Sequence, residues 1–219
     1  MPTAPDRVHS CWYEFLRRHA RTLWACDFMT QRVLTPRGWK DAFLLVFIHH
    51  KTRQALASPC TFTPDERWVA EQMATFAHQA RAMTGQKTLR LLHDRDGKFS
   101  RPLPEALRVN RIIGHRIPIH SPNLNAYAER LQQTIQQECL EKFLVVGTRH
   151  LDYLVREYIT HYNTERPHSE IGFGVPGRAD AVVGSPKLRL ARDRPQRVGS
   201  VKCRERLGGV LKHYETMAA

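Results

Sequence analysis

Two long apolar segments near the start of the chain, joined by a short turn, constrain the fold most. Residues 22–34 (TLWACDFMTQRVL) and 40–53 (KDAFLLVFIHHKTR) both have the length and side chains of a strand, and a Pro-Gly turn separates them. Such a pattern predicts an antiparallel hairpin, which residues 54–63 could extend into a third strand. The longest apolar run, residues 42–48, is far too short to span a bilayer.

The hydrophobic period then changes from that of strands to that of helices. A helical stripe that includes Trp68, Met73 and Phe76 follows the hairpin, and further strand and helix patterns alternate after it. This order predicts an α/β domain with a mixed five-stranded sheet, antiparallel at first and parallel later, flanked by helices. The predicted elements are helices at 65–83, 103–109, 126–143 and 149–163 and strands at 88–94 and 111–120.

The chain divides by composition into three parts. Residues 1–20 are an amphipathic lead-in, residues 21–176 carry the alternating pattern, and residues 177–219 are a basic, loop-rich extension. Within residues 186–219, nine Lys and Arg residues accompany three acidic ones. This extension is either a solvated, disordered tail or a segment that contacts phosphates.

Charge and cysteine usage narrow the class of function. The 219 residues contain 34 Lys and Arg against 21 Asp and Glu, a net charge of +13, which is typical of proteins that bind nucleic acid. The five cysteines form no Cys-x-x-Cys pair, which argues against a zinc ribbon. No apolar signal segment is visible at the start, so the sequence predicts a soluble, cytoplasmic protein.

Three carboxylates lie beside apolar residues of the predicted core elements. Asp27 is within the first strand, Asp94 closes the fourth, and Glu129 is in the first turn of the helix that begins at Ala126. A carboxylate beside buried residues is costly unless it is paired or binds a metal, and three carboxylates suit Mg²⁺ or Mn²⁺. Asp96 is a second candidate for the position of Asp94, and Glu129 could instead complement the helix dipole.

Helical geometry places Glu129 on a polar face. The apolar residues Ala128, Leu131, Ile135 and Cys139 share one side of the predicted helix and are expected to face the core. Glu129 lies on the polar face, together with Gln132, Gln133 and Gln136. Glu138 is nine residues further on, about half a turn away around the axis, so it is not expected to share a site with Glu129.

The order and spacing of these residues resemble a known family. Asp94 follows Asp27 by about 65 residues, and Glu129 follows Asp94 after 34 intervening residues. With the segments HDRDGKF, SPNLNAYAERLQQTIQQECL and YITHYNTERPHSEIGFGVP, this resembles the Asp-Asp-Glu catalytic core of bacterial insertion-sequence transposases of the retroviral-integrase type, especially the IS481-like group. The resemblance covers about residues 10–176, and RLGGVLKHYETMAA at the end of the chain is also similar to that group.

The resemblance implies an RNase H-like fold, two divalent ions (Mg²⁺ or Mn²⁺) and DNA cleavage and strand transfer by a polynucleotidyl transferase. Asp27, Asp94 and Glu129 match the three metal-binding acids. Phe99 selects Asp94 over Asp96, because the family's aspartate precedes its aromatic residue by five positions. The residues expected to contact DNA are Lys98, Asn125, Arg130, Arg166 and His168.

Three of these residues, Asn125, Arg166 and His168, also have a structural interpretation. Asn125 could be the N-cap of the helix that carries Glu129. Asn163 could be the C-cap of the last helix, with Pro167 enforcing its end, so Arg166 and His168 could be structural too.

The resemblance also predicts partners and location. The partners would be element ends and target DNA, with a homo-oligomer assembled on DNA and a location in the bacterial cytoplasm at the nucleoid. Only about 20 residues precede the first strand, so we expect the helix-turn-helix module of the family to be missing. Two other functions remain open: a non-catalytic DNA-binding remnant of a transposase and an RNase H-type nuclease.

Overall fold

A computed structural model describes residues 12, 14–94, 102–117, 125–171, 174–176 and 200–216 of the chain. Its centre is a five-stranded sheet with the strand order β3-β2-β1-β4-β5. β1 pairs antiparallel with β2 and parallel with β4, so the sheet is mixed as the sequence predicts. The strands are β1 (Leu23–Thr35), β2 (Gly38–His49), β3 (Ala55–Ala57), β4 (Leu89–His93) and β5 (Ile112–Arg116).

The two faces of the sheet are covered by the described helices α1 (Glu66–Thr84), α2 (Pro102–Val109), α3 (Ala126–Glu138) and α4 (Gly147–Thr164). Local chemistry defines the ends of α1. The Asp65 side chain accepts a hydrogen bond from the Trp68 amide at 2.8 Å, and Gly85 ends the helix in the left-handed conformation at φ 67°. Within the described residues, no helix is both long and apolar enough to cross a bilayer.

The side chains of β1 alternate between two separate hydrophobic clusters. Trp24, Cys26 and Phe28 pack with buried residues of α1 and α2 on one face. Ala25 and Met29 pack with buried residues of α3 and α4 on the other. Residues 14–19 are helical, and Trp12, Phe15 and Leu16 of this lead-in pack against the second cluster.

The last part of the chain differs from the predicted loop-rich extension. β6 (Val201–Arg206) and β7 (Leu211–Thr216) form an antiparallel hairpin. Its strands are mainly charged and polar, so they lack the alternation of apolar residues by which the other strands were predicted. Residues 177–199 of the extension lie outside the described residues.

This hairpin contacts the core through both apolar and charged side chains. Leu211 is 4% exposed and belongs to the cluster beneath α3 and α4. The Arg206 guanidinium donates to the carboxylates of Glu157 and Glu165 on and after α4, at 2.9–3.2 Å. Arg206 of the basic extension therefore forms ion pairs with carboxylates of the core.

Candidate active site

Asp27 and Asp94 lie side by side on neighbouring parallel strands. Cys26 of β1 pairs in register with His93 of β4, so each aspartate follows directly after a paired residue. Asp27 shares a strand face with Ala25 and Met29, which belong to the cluster beneath α3 and α4. Asp94 directly follows the last residue of β4 and also lines a cavity with Pro104 and Leu107 of α2. The topology thus places the two aspartates next to each other, with the Asp27 carboxylate on the α3 side of the sheet.

α3 carries Glu129 and Gln132 on the side of the sheet where the Asp27 carboxylate lies. Its buried stripe consists of Ala128, Leu131 and Ile135, as predicted, which leaves Glu129 exposed on the polar flank. Gln132 Nε2 donates to Asp27 Oδ2 at 2.6 Å and lies 3.3 Å from the carbonyl oxygen of Phe28. The glutamines of this flank and Glu129 line a cavity of about 380 Å³, together with residues of β1.

The pKa of Asp27 reflects its burial and the negative charges of the carboxylates around it. Its pKa is raised to about 7, first by burial and then by the negative charge of Asp94. A hydrogen bond from the Phe28 amide at 2.9 Å lowers the pKa, the charge of Glu129 raises it, and the hydrogen bond from Gln132 lowers it. Both predicted partners are therefore close enough for Asp27 to be affected by their charges.

The pKa of the neighbouring Cys26 thiol is affected by the same negative charges. Its buried thiol has a pKa raised well above the ordinary value, by burial first and then by the charges of Asp27 and Asp94. Although the protein as a whole is basic, negative charges are concentrated at one edge of its sheet. Their mutual repulsion disfavours the ionised form of each carboxylate. Such an arrangement is typical of a site that binds a cation.

The donor atoms fit a hard divalent cation, although they are not gathered around a single point. All are oxygens, from two strands and one helix, which is the chemistry that Mg²⁺ and Mn²⁺ prefer. In the part of the chain that the structure describes, no three His, Cys, Asp or Glu side chains are close enough together to hold one ion. Binding an ion would therefore require the carboxylates to move closer, and the ion's charge would favour that movement.

Asn125 lies beside this site and is buried. It is only 4% exposed, and its Nδ2 atom lies 3.5 Å from the carbonyl oxygen of Cys26. It occupies the N-cap position of α3, as its structural interpretation expects, although its side chain makes no capping hydrogen bond. Its Oδ1 atom is buried and has no hydrogen-bond partner in the described part of the protein. Its contact with DNA stays a prediction.

Three other residues predicted to contact DNA, Arg130, Arg166 and His168, lie on a different flank of α3 from Gln132 and Glu129. Arg166 donates two hydrogen bonds to Glu138, at 3.0 and 2.7 Å, and His168 packs edge-on against the Tyr162 ring. Arg130 is exposed on α3. The structure brings Arg130, Arg166 and His168 to one cavity on the other flank of α3. Lys98 lies outside the described residues, as does Asp96.

Two residues of these sites were not identified from the sequence. Gln132 was placed only on a polar face, although its position three residues after Glu129 on a helix could have indicated a shared site. Arg53 lines the cavity on the other flank and has no sequence signal, because it reaches that cavity from the turn after β2.

Comparison with known proteins agrees with the fold. Residues 110–176 match the family model described as integrase core domain. None of the curated proteins is significantly similar to the chain in sequence. A chain of the simian T-cell lymphotropic virus intasome, solved in complex with PP2A regulatory subunit B56 gamma, matches with a TM-score of 0.54 and 13% identity, over 84% of this chain and 61% of that one.

Two further structures are similar. The HTLV-2 integrase catalytic core domain, in complex with magnesium and in dimeric form, matches with a TM-score of 0.51 and 17% identity, over 71% of this chain and 93% of that one. The catalytic domain of Mos1 mariner transposase matches with a TM-score of 0.54 and 12% identity, over 69% of this chain and 76% of that one.

These matches define the class of fold. The mixed five-stranded sheet flanked by helices is the RNase H-like fold of integrase and transposase cores. The match of residues 110–176 to the integrase core domain agrees with this fold. The chain spans 61% of the length of the intasome chain that it matches.

Proposed function

We propose that this protein is the catalytic core of a DNA transposase or integrase, which cleaves DNA and transfers strands with the aid of divalent metal ions. The observation that carries the proposal is that Asp27 and Asp94 follow paired residues of neighbouring parallel strands, while Gln132, three residues after Glu129 on α3, donates to Asp27 at 2.6 Å. In agreement with this arrangement, burial and the charges of Asp94 and Glu129 raise the pKa of Asp27 to about 7. In a structural role, each carboxylate would be stabilised by a nearby cation. Their mutual repulsion instead suits a site whose cation comes with the substrate or the solvent.

Asp27, Asp94 and Glu129 would hold two ions, Mg²⁺ or Mn²⁺. Magnesium accompanies the HTLV-2 integrase core, whose fold this protein shares. Two such ions stabilise the attacking and leaving oxygens of a phosphoryl transfer. Gln132 orients Asp27 through its 2.6 Å hydrogen bond, and the hydrophobic clusters fix the strands that carry the aspartates. The protein would thus supply positioning and ligands, without a covalent nucleophile.

The narrower assignment rests on the sequence motifs. We propose a bacterial insertion-sequence transposase that acts in the cytoplasm on element ends and target DNA, as a homo-oligomer assembled on the DNA. The support is the succession of HDRDGKF, SPNLNAYAERLQQTIQQECL and YITHYNTERPH in the order of that group. No phosphate-binding Gly-x-x-x-x-Gly-Lys-[Ser/Thr] loop is present in the sequence, so we expect the reaction to need no ATP.

Isosteric substitution of the three acids tests the proposal. Asp27→Asn, Asp94→Asn and Glu129→Gln each remove one ligand charge and add little bulk. We expect each to reduce joining of pre-cleaved DNA ends in Mg²⁺ or Mn²⁺ by on the order of a thousandfold, because each ion contributes several kcal/mol of transition-state stabilisation. Asp41→Asn, an exposed carboxylate on β2, is the matched control and should retain wild-type activity.

The outcomes separate the alternative functions. Metal-dependent joining that persists in all three variants would exclude the assigned site. Hydrolysis of the RNA strand of an RNA–DNA hybrid, without joining of DNA ends, would indicate an RNase H-type nuclease. DNA binding without any metal-dependent reaction of the wild type, at high concentrations of ends, would indicate a non-catalytic remnant.

A further inference from the structure

A cavity of about 450 Å³ adjoins Asp94 and lies between α2 and β5, which is an edge strand of the sheet. This α2–β5 cavity is lined by Pro104 and Leu107 of α2 and by Ile112 and Gly114 of β5. It shares none of its described lining residues with the cavity on the polar flank of α3. Its volume is sufficient for one group of a substrate next to Asp94.

The inner wall of the α2–β5 cavity is apolar. Leu107 and Ile112 are each only 5% exposed, and both belong to the hydrophobic cluster that α1 and α2 cover. Because these side chains are fixed by the core, the cavity exists before any ligand binds. Such a wall suits a group with apolar faces and disfavours a hydrated ion.

The absence of a side chain at Gly114 keeps the cavity open. A Cβ atom at this position would lie 2.7 Å from Leu107 Cδ1 and 3.6 Å from His93 Nε2. Gly114 lies within β5 and is not among the glycines with positive φ, so its backbone conformation does not require glycine. A glycine inside a strand often marks a place where another group approaches closely. Here it accommodates Leu107 and leaves the space beside it unfilled.

The rim of the cavity carries positive charge at its Asp94 end. Arg116 is exposed and lies in register with His93, the residue that precedes Asp94. No carboxylate forms an ion pair with Arg116 within the described part of the chain. Arg108 also lines the cavity, but its guanidinium is paired with Glu105 at 2.6 Å. The cation available to an anionic ligand is therefore that of Arg116.

An apolar wall beside a cationic rim suits a nucleotide. A nucleobase has two apolar faces and a polar edge, and the phosphate attached to its sugar is an anion. Leu107 and Ile112 would contact the base, while Arg116 and the metal ions proposed at Asp94 would contact its phosphate. A base within a duplex is stacked on its neighbours and cannot enter a concave cavity, so the base has to be unpaired.

We propose that the α2–β5 cavity binds an unpaired nucleobase of the DNA, whose nucleotide adjoins the reacting phosphodiester at Asp94. The inference rests on the proposed function, because it takes DNA as the substrate. Contact of the base with the apolar wall offsets the cost of removing it from the stack. The bound base then positions its phosphate between Arg116 and the metal ions, so a frayed or single-stranded end binds more tightly than a fully paired one.

Removal of one base from the DNA tests this site without altering the protein. The probe is a labelled duplex with a short single-stranded overhang, which carries an abasic nucleotide at one position at a time. Its 3′ ends are dideoxynucleotides, so joining cannot occur in Mg²⁺, and fluorescence anisotropy measures the affinity. Gly114→Val fills the cavity and should fold, because Leu107 Cδ1 is the end of a flexible side chain. Ala70→Val, at an exposed position on α1, is the control.

We expect an abasic nucleotide at one position to weaken binding by the wild type about tenfold, the order of magnitude of a single base contact. Gly114→Val should bind the intact overhang about tenfold more weakly and should not distinguish it from the abasic one. Ala70→Val should behave as the wild type. In wild-type protein with labelled methyl groups, the NMR signals of Leu107 and Ile112 should shift with the intact overhang but not with the abasic one.

An abasic nucleotide that weakens the wild type and Gly114→Val equally, or weakens neither, would overturn the proposed base site and leave the proposed function intact. Unshifted methyl signals of Leu107 and Ile112 would overturn it too, without any variant that must fold. No binding of DNA ends by the wild type would overturn both proposals. Deoxyadenosine 5′-monophosphate is the probe for a free nucleotide. Methyl shifts with this probe, without an effect of the abasic position, would assign the cavity to a free nucleotide and overturn the proposal.

Discussion

Asp27 and Glu138 are two half-buried carboxylates, one in contact with α3 and the other at its last residue, and they differ in what neutralises them. For Glu138, burial raises the pKa, but hydrogen bonds from Arg166 and Tyr158 outweigh burial and hold the pKa below its ordinary value. For Asp27, burial and the charges of Asp94 and Glu129 raise the pKa to about 7, against hydrogen bonds from the Phe28 amide and Gln132. The neighbours that stabilise Asp27 are neutral donors, and its charged neighbours are repulsive.

The difference separates a structural carboxylate from one that we assign to function. Glu138 has its cation within the protein, so its charge stabilises the native state as folded. Asp27 is held among like charges, which lowers the stability of the native state unless a cation is added. Net charge does not predict such a site, because the protein as a whole carries +13.

Removal of Glu138 should have the larger effect on stability. Glu138→Ala leaves the Arg166 guanidinium and the buried Tyr158 hydroxyl without their acceptor. We expect a loss of about 1.5–3 kcal/mol in the free energy of unfolding, a range that allows for the 39% exposure of the Glu138 side chain. Urea denaturation measures it. Glu71→Ala, which breaks an exposed pair with Arg67 on α1, is the control, with an expected change below about 0.5 kcal/mol. Similar losses in the free energy of unfolding of both variants would contradict the structural role assigned to Glu138.

Substitution of Asp27 should have the opposite sign and a smaller size. Because its pKa is raised, the native state binds the proton more tightly than the unfolded state, and stability falls as pH rises from about 4 to about 7. Asp27→Asn removes this penalty. We therefore expect a metal-free gain of about 1–2 kcal/mol above pH 7 that disappears towards pH 4. Thermal unfolding in EDTA across this range measures the gain, and a loss of stability at pH 8 would contradict the account.

The sequence predicted the sheet well because its signals are local. The hairpin of β1 and β2, the change of period at α1 and the buried stripe of α3 were all visible as patterns of apolar residues. The predicted ends of the elements were less accurate. α3 ends at Glu138, whereas the sequence pattern predicted a helix up to residue 143. The wide apolar stripe continues into the short 3-10 helix Leu140–Lys142, so periodicity alone does not show where the α-helix ends.

Long-range contacts were not predictable. Asn163 was expected to cap a helix, but its side chain makes two 2.8 Å hydrogen bonds with the backbone of Ala55 on the edge strand β3. Arg206 was grouped with residues that could contact phosphates, yet it binds two glutamates of the core. In both cases, the partner lies more than 40 residues away in the chain, so no pattern in a single sequence indicates the pair.

The pKa of Asp27 with and without magnesium tests the central claim most directly. In protein labelled with ¹³C at its carboxyl carbons, a pH titration followed by NMR reads Asp27 and Glu138 separately. We predict that Asp27 titrates near 7 without metal and that saturating Mg²⁺ moves its pKa below the ordinary value of an aspartate, while Glu138 does not change. A pKa of Asp27 that is the same in EDTA and in saturating Mg²⁺ would contradict the account.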